Sequence, residues 1–391
     1  MTASTKLLTP GGGGVILTPA ASTASDVTLS LPTTNGTLAT QAYATQMGGM
    51  RNRIINGAMM IDQRNNGAAV TSSAGAGANW AVDRFQTNVA GTSAVVTAQR
   101  VSDAPSGFIN SLKITVTTAA TATAAQFTFV RQIIEGLNIS DLGWGTADAQ
   151  PVTLSFWFKA SITGTYSAFA INHAEDRSYV ATFAVNAANT WEYKTITIPG
   201  DTTGTWLTTN SNGIRFGFDL GSGANYQGTA NIWNSGWRQR TSSTVNLIGT
   251  NGATLQFTGL QVEKGTVATP FEYRQYGTEL ALCQRYFVRF MGTGAYEKLP
   301  GAGIAVSATT AYYAFSLPVQ MRSSPTMSVG TIAVYDGSGN TAVTSIGVDN
   351  TSPLSPSFIF TFGSGVITAF RPVLIQANNS TAAAVNLNSE L

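Results

Sequence analysis

The sequence predicts an all-β protein whose main domain is an antiparallel, jelly-roll-like β-sandwich. Many short segments alternate between apolar and polar residues, and Gly, Pro, Asn and Asp residues separate them. Few segments have the apolar spacing of a helix. This combination is typical of sandwiches built from short antiparallel strands. A hydrophobic content of 43% further indicates a folded chain rather than a disordered one.

The length of 391 residues favours two or three domains, because one hydrophobic core rarely serves so long a chain. We expect an extended N-terminal segment over residues 1–50. A jelly-roll-like sandwich is expected over 51–277, and a smaller C-terminal β-sandwich over 278–391. We find no repeat of fixed period, which argues against a β-helix or another solenoid.

In the N-terminal segment, the runs 15–18 and 27–31 favour short strands, and Pro19 and Pro32 end them. Two isolated short strands are not stable in water. We therefore expect this segment to pair with other chains or to dock on a larger assembly. A short helix is expected over 39–47.

Regularly alternating runs fill both larger domains and predict their strands. In the middle domain these runs are 95–101, 112–116, 126–130, 152–158, 169–171, 180–185, 191–198, 214–218 and 255–262. In the C-terminal domain they are 312–319, 326–329, 332–335, 343–348, 358–362 and 385–387. Within 152–158, Trp157 lies on the face of the strand opposite to the one that carries Phe156 and Phe158. Because both faces carry large apolar residues, both are expected to be covered. On this basis Trp157 and Trp191 are predicted to be core residues.

The stretch from Leu255 to Tyr286 joins the two domains. Alternation predicts that Leu255, Phe257 and Gly259 share one face of a strand, and that Leu260 and Val262 share the other. Pro270 then fixes a turn that lets Phe271 and Tyr273 reach back over the edge of the core.

A short helical turn is expected to follow, with Thr278 as its cap and Cys283 near its end. A strand over 284–290 then leads into the last domain. Arg274 and Arg285 are expected to make intersubunit salt bridges or backbone contacts rather than ligand contacts.

Composition narrows the possible functions. Only 10% of the residues are charged, against a usual share of about 25%. A surface poor in Lys and Glu suits a permanent assembly, because covering it orders few long side chains. The net charge of +2 argues against binding nucleic acid. Cys283 is the single cysteine, so we expect a buried thiol and no intrachain disulfide. We expect neither a signal peptide nor a membrane span, which needs an apolar run of about 20 residues.

Several segments, in this order along the chain, resemble the tail fibre and receptor-binding proteins of tailed bacteriophages. They are Asn52–Arg64, Val82–Phe85, Val152–Ser161, Trp191–Pro199, Thr258–Arg274, Glu279–Phe287 and Leu317–Thr326. The resemblance covers nearly the whole chain. It implies a homotrimeric fibre, a jelly-roll-like middle domain and a distal β tip that binds the host surface.

The resemblance also implies a function. The chain would be a structural tail fibre protein of the virion, assembled in the host cytoplasm and attached to the tail or baseplate by its N-terminus. Its ligand would be host surface polysaccharide or lipopolysaccharide. A capsid fibre or decoration protein and a polysaccharide-degrading tailspike remain alternatives.

No pattern in the sequence indicates an enzyme, a cofactor or a metal site. His173 is the single histidine and lies in a polar loop with Glu175 and Asp176, where a solvated turn is the simpler interpretation. Nucleophile–His triads and zinc sites need more partners than the chain offers. Carboxylates that could hydrolyse a glycan in pairs are scattered along the chain: Asp83, Asp141, Asp148, Glu175, Asp176 and Asp219.

Exposed aromatic residues are the better candidates for ligand contact, since sugar rings stack on flat apolar surfaces bordered by hydrogen-bonding groups. The first candidates are the cluster Tyr226, Trp233, Trp237 and Arg238; the alternative is that these Trp residues pack on the sandwich edge. The second candidates are Tyr335, Asp336 and Asn340, which flank a hairpin loop; the alternative there is an ordinary turn.

Overall fold

A computed structural model describes the backbone of residues 5–8 and 14–17, and the complete residues 50–292, 294–364 and 366–391. The chain divides into two compact units, Met1–Ala44 and Thr45–Leu391. In the first unit, β1 (Thr5–Leu8) pairs antiparallel with β2 (Gly14–Leu17). This confirms the strand predicted at 15–18 and gives it a partner within its own chain. The strand predicted at 27–31 and the helix predicted at 39–47 lie outside the described residues.

The second unit is built around an antiparallel sandwich of two large sheets, as the sequence predicted. The first sheet has seven strands in the order β14 (Trp233–Ser235), β11 (Arg177–Val185), β10 (Gly164–Asn172), β13 (Asn212–Asp219), β8 (Phe127–Glu135), β5 (Phe85–Ala90) and β4 (Asn79–Val82). The second has six strands in the order β12 (Glu192–Ile198), β9 (Val152–Ala160), β15 (Thr254–Lys264), β7 (Ser111–Thr118), β6 (Val95–Val101) and β3 (Val70–Ser72). Every run predicted in this domain overlaps one of these strands.

One hydrophobic core fills the space between the two sheets. In β9, Val152, Leu154, Phe156 and Phe158 all point into it, as their alternation predicted. The rings of Phe156, Phe158 and Phe218 meet there with centroids 5.0 to 6.0 Å apart. Such edge-to-face contacts add to the free energy gained by burying the rings.

A β-bulge in β15 overturns the predicted division of its faces. The pairing with β9 shifts between Thr258 and Gln261, and Gly259 at the bulge has a φ of +62°. The extra residue returns the following side chains to the face they would otherwise leave. Leu255, Phe257, Leu260 and Val262 therefore all lie in the same core. A Cβ at Gly259 would stand 2.6 Å from Cζ of Phe108, so the close approach of this ring also requires glycine.

The segment after β15 closes the end of the sandwich. The Glu272 carboxylate accepts hydrogen bonds from the backbone N–H of Arg51 and Asn52, at 3.2 and 2.9 Å. Phe271 and Tyr273 pack against Phe108, with ring centroids 5.2 and 5.5 Å away. The predicted turn over the core edge is thus confirmed.

The helix α1 (Tyr276–Gln284) follows, and it is longer than the predicted turn. It begins two residues before Thr278, which lies inside the first turn; Gln275 precedes the helix and no side chain caps it. Cys283 is completely buried beside Ile55 and Tyr286, as predicted.

The C-terminal region is all-β, but its main element is a closed barrel rather than the expected sandwich. A small sheet has the order β16 (Phe287–Met291), β24 (Ala384–Asn388) and β19 (Thr326–Val329). The barrel has the order β17 (Ala302–Ala305), β18 (Thr310–Ala314), β22 (Ser357–Phe362), β21 (Asn340–Val348), β20 (Ile332–Tyr335) and β23 (Pro372–Ala377). The sheet closes because β17 pairs with both β18 and β23. Closure pairs the backbone N–H and C=O groups of the edge strands, which remain unpaired in a sandwich.

Buried ion pairs join the sandwich to the C-terminal region. Arg84 is 1% exposed; it donates to the Glu390 carboxylate and lies 3.5 Å from the centre of the Tyr286 ring. Arg285 binds Glu135 of β8 with N–O distances of 2.8 and 2.5 Å. Arg274 pairs with Glu272 and Glu279 and donates to backbone carbonyls. The two arginines of the predicted junction thus make contacts within this chain.

Among the described residues, no helix has the length and apolar character needed to cross a membrane.

Candidate functional site

The outer face of the seven-stranded sheet carries a group of aromatic rings beside two arginines. On β8, Val130 and Ile134 point into the core, so Phe127, Phe129 and Arg131 point outward. A loop that follows β13 lays further aromatic side chains over the same strand. We call the group the arginine–aromatic face, and its members are Phe127, Phe129, Arg131, Phe169, Arg215, Tyr226 and Trp237.

Two residues singled out from the sequence, Tyr226 and Trp237, meet on this face. Their rings lie 5.1 Å apart, and each contacts Phe127, at 5.3 and 4.7 Å. Phe127 in turn stacks on Phe129 at 5.5 Å with an interplanar angle of 6°. Tyr226, Trp237 and Phe127 are half-buried, so part of each ring remains open to solvent. Together they form an apolar platform at the start of β8.

Hydrogen bonds fix the loop that supplies Tyr226 and Trp237. The Trp237 indole donates to Oε1 of Gln239 at 3.0 Å, and Nε2 of Gln239 donates to the Asp219 carboxylate at 3.2 Å. Asp219 is buried, and burial raises the pKa of its carboxyl group, which also accepts N–H bonds from Gly221 and Ser222. The position of Trp237 is therefore fixed by a chain of hydrogen bonds that ends at the buried Asp219.

Arg238, another predicted site residue, serves mainly to anchor this loop. Its backbone N–H donates to Oγ of Ser178 at 2.9 Å, and its guanidinium donates to the Asn225 carbonyl. The half-buried guanidinium thus ties two parts of the loop together.

Two arginines extend the platform along the sheet. In the pairing of β13 with β8, Arg215 lies opposite Ile133 and Gly217 lies opposite Arg131, so the two arginines are diagonal neighbours. The Arg131 guanidinium stands 4.3 Å from the centre of the Phe129 ring. Arg215 pairs with Glu175, which lies in the β10–β11 turn. A Cβ at Gly217 would stand 2.6 Å from the Phe169 ring, so glycine lets that ring lie between the strands.

Trp233 lies apart from this face, at the edge of the sandwich core. Its ring contacts Trp144, Trp206 and Tyr179 with centroids 5.3 to 5.4 Å away, and its indole donates to the Pro199 carbonyl at 3.0 Å. These contacts agree with packing on the sandwich edge.

The second group of predicted site residues lies in the C-terminal region, at the hairpin between β20 and β21. The Asp336 carboxylate accepts N–H bonds from Ser338, Gly339 and Thr368, each at 3.0 Å. These bonds hold the pKa of Asp336 well below its usual range. Tyr335 donates to the Gly337 carbonyl at 3.1 Å, and Asn340 is exposed at the start of β21. The carboxylate is thus bound by the turn and by Thr368, whereas Asn340 remains exposed.

Trp157 and Trp191 are not core residues, contrary to the prediction. Both are half-buried on the outer side of the six-stranded sheet, where Trp157 contacts Tyr193 at 5.4 Å and Trp191 lies 4.9 Å from the Lys159 ammonium. Tyr193 is 46% exposed. Strand alternation places Trp157 on the face of the sheet that is turned away from the core. These four residues form a second aromatic face.

The polar loop around the single histidine is a turn between β10 and β11. His173 is exposed, and Asp176 accepts a hydrogen bond from Asn172 at 2.6 Å. The Glu175 carboxylate is engaged by Arg215. Among the described residues, no group of three or more His, Cys, Asp or Glu side chains could hold a metal ion.

A pocket of about 150 Å³ opens beside the segment that closes the sandwich. It is lined by Phe108, Phe271 and Tyr273 and by the charged residues Glu272, Arg274 and Glu279. Arg274 neutralises both carboxylates, and Tyr273 donates to the Gly107 carbonyl at 2.5 Å. These polar groups therefore stabilise the closure, although Nε of Arg274 is buried without a hydrogen-bond acceptor.

Reasoning from the sequence missed Phe127, Phe129, Arg131 and Arg215 as members of a site. A signal for the first three was present, because the run Phe127–Glu135 places Phe127, Phe129 and Arg131 on one face by its period of two. The period of two separates the two faces of the strand, but it does not tell which of them packs against the core.

The chain matches no family model. No curated protein matches it either. Solved structures similar to it include a CBM4 carbohydrate-binding module, with 16% identity over 54% of this chain and 98% of that chain and a TM-score of 0.26. A family 11 carbohydrate-binding module of Clostridium thermocellum gives 13% identity over 50% of this chain and 98% of that chain, with a TM-score of 0.26.

The enzymatically active domain of tailspike protein 4 of bacteriophage CBA120 is also similar. It gives 11% identity over 55% of this chain and 21% of that chain, with a TM-score of 0.26. At these identities and TM-scores neither a family nor a residue role follows for this chain.

Proposed function

We propose that this chain is a structural tail fibre protein of a bacteriophage virion that binds a host surface glycan through the arginine–aromatic face. The observation that carries the binding role is the contact of three half-exposed rings, Tyr226 and Trp237 of the loop and Phe127 of β8, a strand that also presents an arginine. Sugar rings stack on such surfaces, and neighbouring donors bind their hydroxyl groups. The ordered sequence signature supports the tail fibre role.

The proposed role is binding without catalysis. Glycosidases need two carboxyl groups that can reach the scissile bond, one of them as an acid. Near this face Asp219 is buried and saturated with hydrogen bonds, and Glu175 pairs with Arg215. Incubation of the protein with host polysaccharide should release no reducing ends; their release would replace this proposal with the tailspike alternative.

The binding test compares two matched tyrosine variants of the full chain. We expect Tyr226→Ala to weaken binding to purified host polysaccharide by about tenfold or more, as loss of a stacking contact would. Tyr193→Ala removes an exposed ring from the second aromatic face and should leave binding unchanged. If only Tyr193→Ala weakens binding, the glycan occupies the six-stranded sheet instead, and the proposed site is wrong.

We further propose that the chain forms a homotrimer, that its N-terminal segment attaches to the tail or baseplate, and that its mature location is the virion tail. Three weak sites on one fibre give avidity well beyond each single site. Sedimentation equilibrium should give a trimer, and a stable monomer at micromolar concentration would contradict it. Antibodies against the chain should label the tail in electron micrographs of particles; label on the capsid would favour the capsid fibre alternative.

A further inference from the structure

We infer that Arg131 and Arg215 form a subsite for an anionic group, and that the glycan bound by this face is therefore acidic. The inference rests on the proposed function and adds the chemical class of the ligand to it. The shared chemistry is an oxyanion carried by a sugar chain, either the carboxylate of an acidic sugar or a phosphate diester.

The first support is the charge balance of the face. Arg131 and Arg215 occupy diagonal positions on neighbouring strands, which places their Cα atoms about 7–8 Å apart. One carboxylate, Glu175, pairs with Arg215. The buried Asp219 is balanced by Arg240, whose guanidinium lies 3.6 Å away. Of the two positive charges of Arg131 and Arg215, one is neutralised by Glu175, so the face keeps a net charge of one positive unit.

The second support is that donors of these arginines lack partners in the protein. Within the described residues, Nε and Nη1 of Arg131 and Nε of Arg215 are shielded from solvent and have no hydrogen-bond acceptor. Buried N–H groups of a guanidinium are costly to leave unpaired. Nε and Nη1 belong to the two different forks of the Arg131 guanidinium, and Nη2 completes each fork. An oxyanion that displaces the side chains covering either edge can therefore form two parallel hydrogen bonds, the geometry in which arginine binds carboxylates and phosphates.

Burial and the positive charge of Arg215 both disfavour the protonated form of Arg131. The pKa of Arg131 is lowered to about 9, mainly by burial and also by the charge of Arg215, while Glu175 opposes the shift. The group remains charged at neutral pH and is held in an environment that favours an added anion. Contact with the Phe129 ring limits the orientations that the guanidinium can take.

The subsite is continuous with the aromatic platform. Trp237 contacts Phe127, Phe127 stacks on Phe129, and Arg131 stands over Phe129. A sugar ring on the platform and its anionic substituent, or that of the next residue, can thus be bound by one surface. Phe129 itself is buried, so the two parts are joined by packing beneath the surface, and half-buried Phe127 and Arg131 are the groups that the ligand would touch.

The experiment compares one polymer with and without its charge. Oligogalacturonate and the same oligomer after reduction of its carboxyl groups are titrated into the full chain by calorimetry. Wild type should bind the charged oligomer about 10- to 100-fold more tightly, as expected for charge-assisted hydrogen bonds. A glycerol phosphate polymer tests the phosphate source in parallel, and the higher affinity identifies which oxyanion the subsite prefers.

Three variants then locate the effect. Arg131→Gln should abolish the preference for the charged polymer and leave the affinity for the reduced oligomer unchanged. Arg371→Gln, which removes an exposed charge from the barrel, should change neither affinity. Glu175→Gln should strengthen binding of the charged polymer severalfold because it releases Arg215, and a merely destabilised protein would not gain affinity.

The outcomes separate this inference from the proposed function. Equal binding of the charged and reduced oligomers by wild type would overturn the anionic subsite and leave glycan binding standing. A preference that persists in Arg131→Gln would also overturn it. Absence of binding to every polymer, together with binding of host polysaccharide that depends on Tyr193, would remove the proposed site and the subsite with it.

Discussion

Replacing Glu390 by Gln should destabilise the protein strongly, because it leaves a buried cation without its counter-charge. Arg84 is 1% exposed, and apart from Glu390 its guanidinium is bound by the Ile133 carbonyl and the face of Tyr286. Burial lowers the pKa of Arg84 to about 10, which reflects how poorly this position solvates a charge. Removing one partner of a buried ion pair typically costs about 3–5 kcal/mol. Arg64 also loses a contact to Glu390 but keeps Asp83 at 2.9 Å.

At about 2 °C per kcal/mol, the value suited to a long chain, the unfolding temperature should fall by about 6–10 °C. Near-ultraviolet circular dichroism during heating measures it. Asp141→Asn is the control, because Asp141 is 46% exposed and its ion pairs should contribute less than about 1 kcal/mol. The double variant Arg84→Met with Glu390→Gln should recover much of the loss, since it removes the buried charge itself. An unchanged unfolding temperature for Glu390→Gln, or strictly additive losses in the double variant, would refute this account.

Three further predictions concern the rest of the fold. Gly259→Ala should cost about 2 kcal/mol in denaturant unfolding, because φ is +62° and a Cβ would stand 2.6 Å from Phe108; an unchanged midpoint would contradict the bulge. The Cys283 thiol, whose pKa is raised by burial, should react with Ellman's reagent only in denaturant, and rapid labelling of the native protein would show an open helix. Burial opposes ionisation of Glu192, but bonds from Lys194 and two backbone N–H groups prevail and lower its pKa to about 2. This carboxylate should therefore stabilise the fold above about pH 4.5 and lose that effect as the pH falls towards 2, so the stability difference between wild type and Glu192→Gln should vanish there.

The strand content of the sandwich could be predicted because alternation reports burial directly. In β9, four apolar side chains recur every second residue, and all four lie in the core. The same rule failed in β15, where the bulge inserts one residue and reverses the faces. Alternation before and after a bulge remains regular on each side, so the pattern predicts the strand but not the shift in register. Gly259 was the visible signal, although glycine in a strand has several other causes.

The barrel could not be distinguished from a sandwich for a related reason. Strands of a small barrel and of a sandwich both alternate between an inner and an outer face. The difference lies in which strands pair, here β17 with both β18 and β23. The pairing of β17 with β23 closes the barrel; it joins Gly303 to Val373 and Ile304 to Pro372, about 70 positions apart in the chain, and no local pattern encodes it.

The placement of the tryptophans shows why the site was only partly predictable. Trp157 was assigned to the core because a large aromatic residue suggests that its face is covered, yet it lies on the outer side of the sheet. Trp233 packs at the core edge, and Trp237, only four residues later, lies on the arginine–aromatic face. Residue type was the same in each case. Their roles differ because the loop after β13 crosses one sheet edge and then folds back over β8, and this path depends on contacts such as that of Gln239 with Asp219.

The sequence signature and the proposed binding surface belong to different parts of the sandwich, and this separation has a consequence for specificity. The signature segment closes the end of the fold: Glu272 binds the backbone of Arg51 and Asn52, and Gly259 makes room for Phe108. The arginine–aromatic face depends instead on the outward positions of β8 and on a loop after β13. Outward positions and loops can change without disturbing the core, whereas the closure cannot. Chains that share the signature should therefore share this frame and differ in the ligand that the frame presents, so the ligand must be assigned from Arg131, Trp237 and their neighbours.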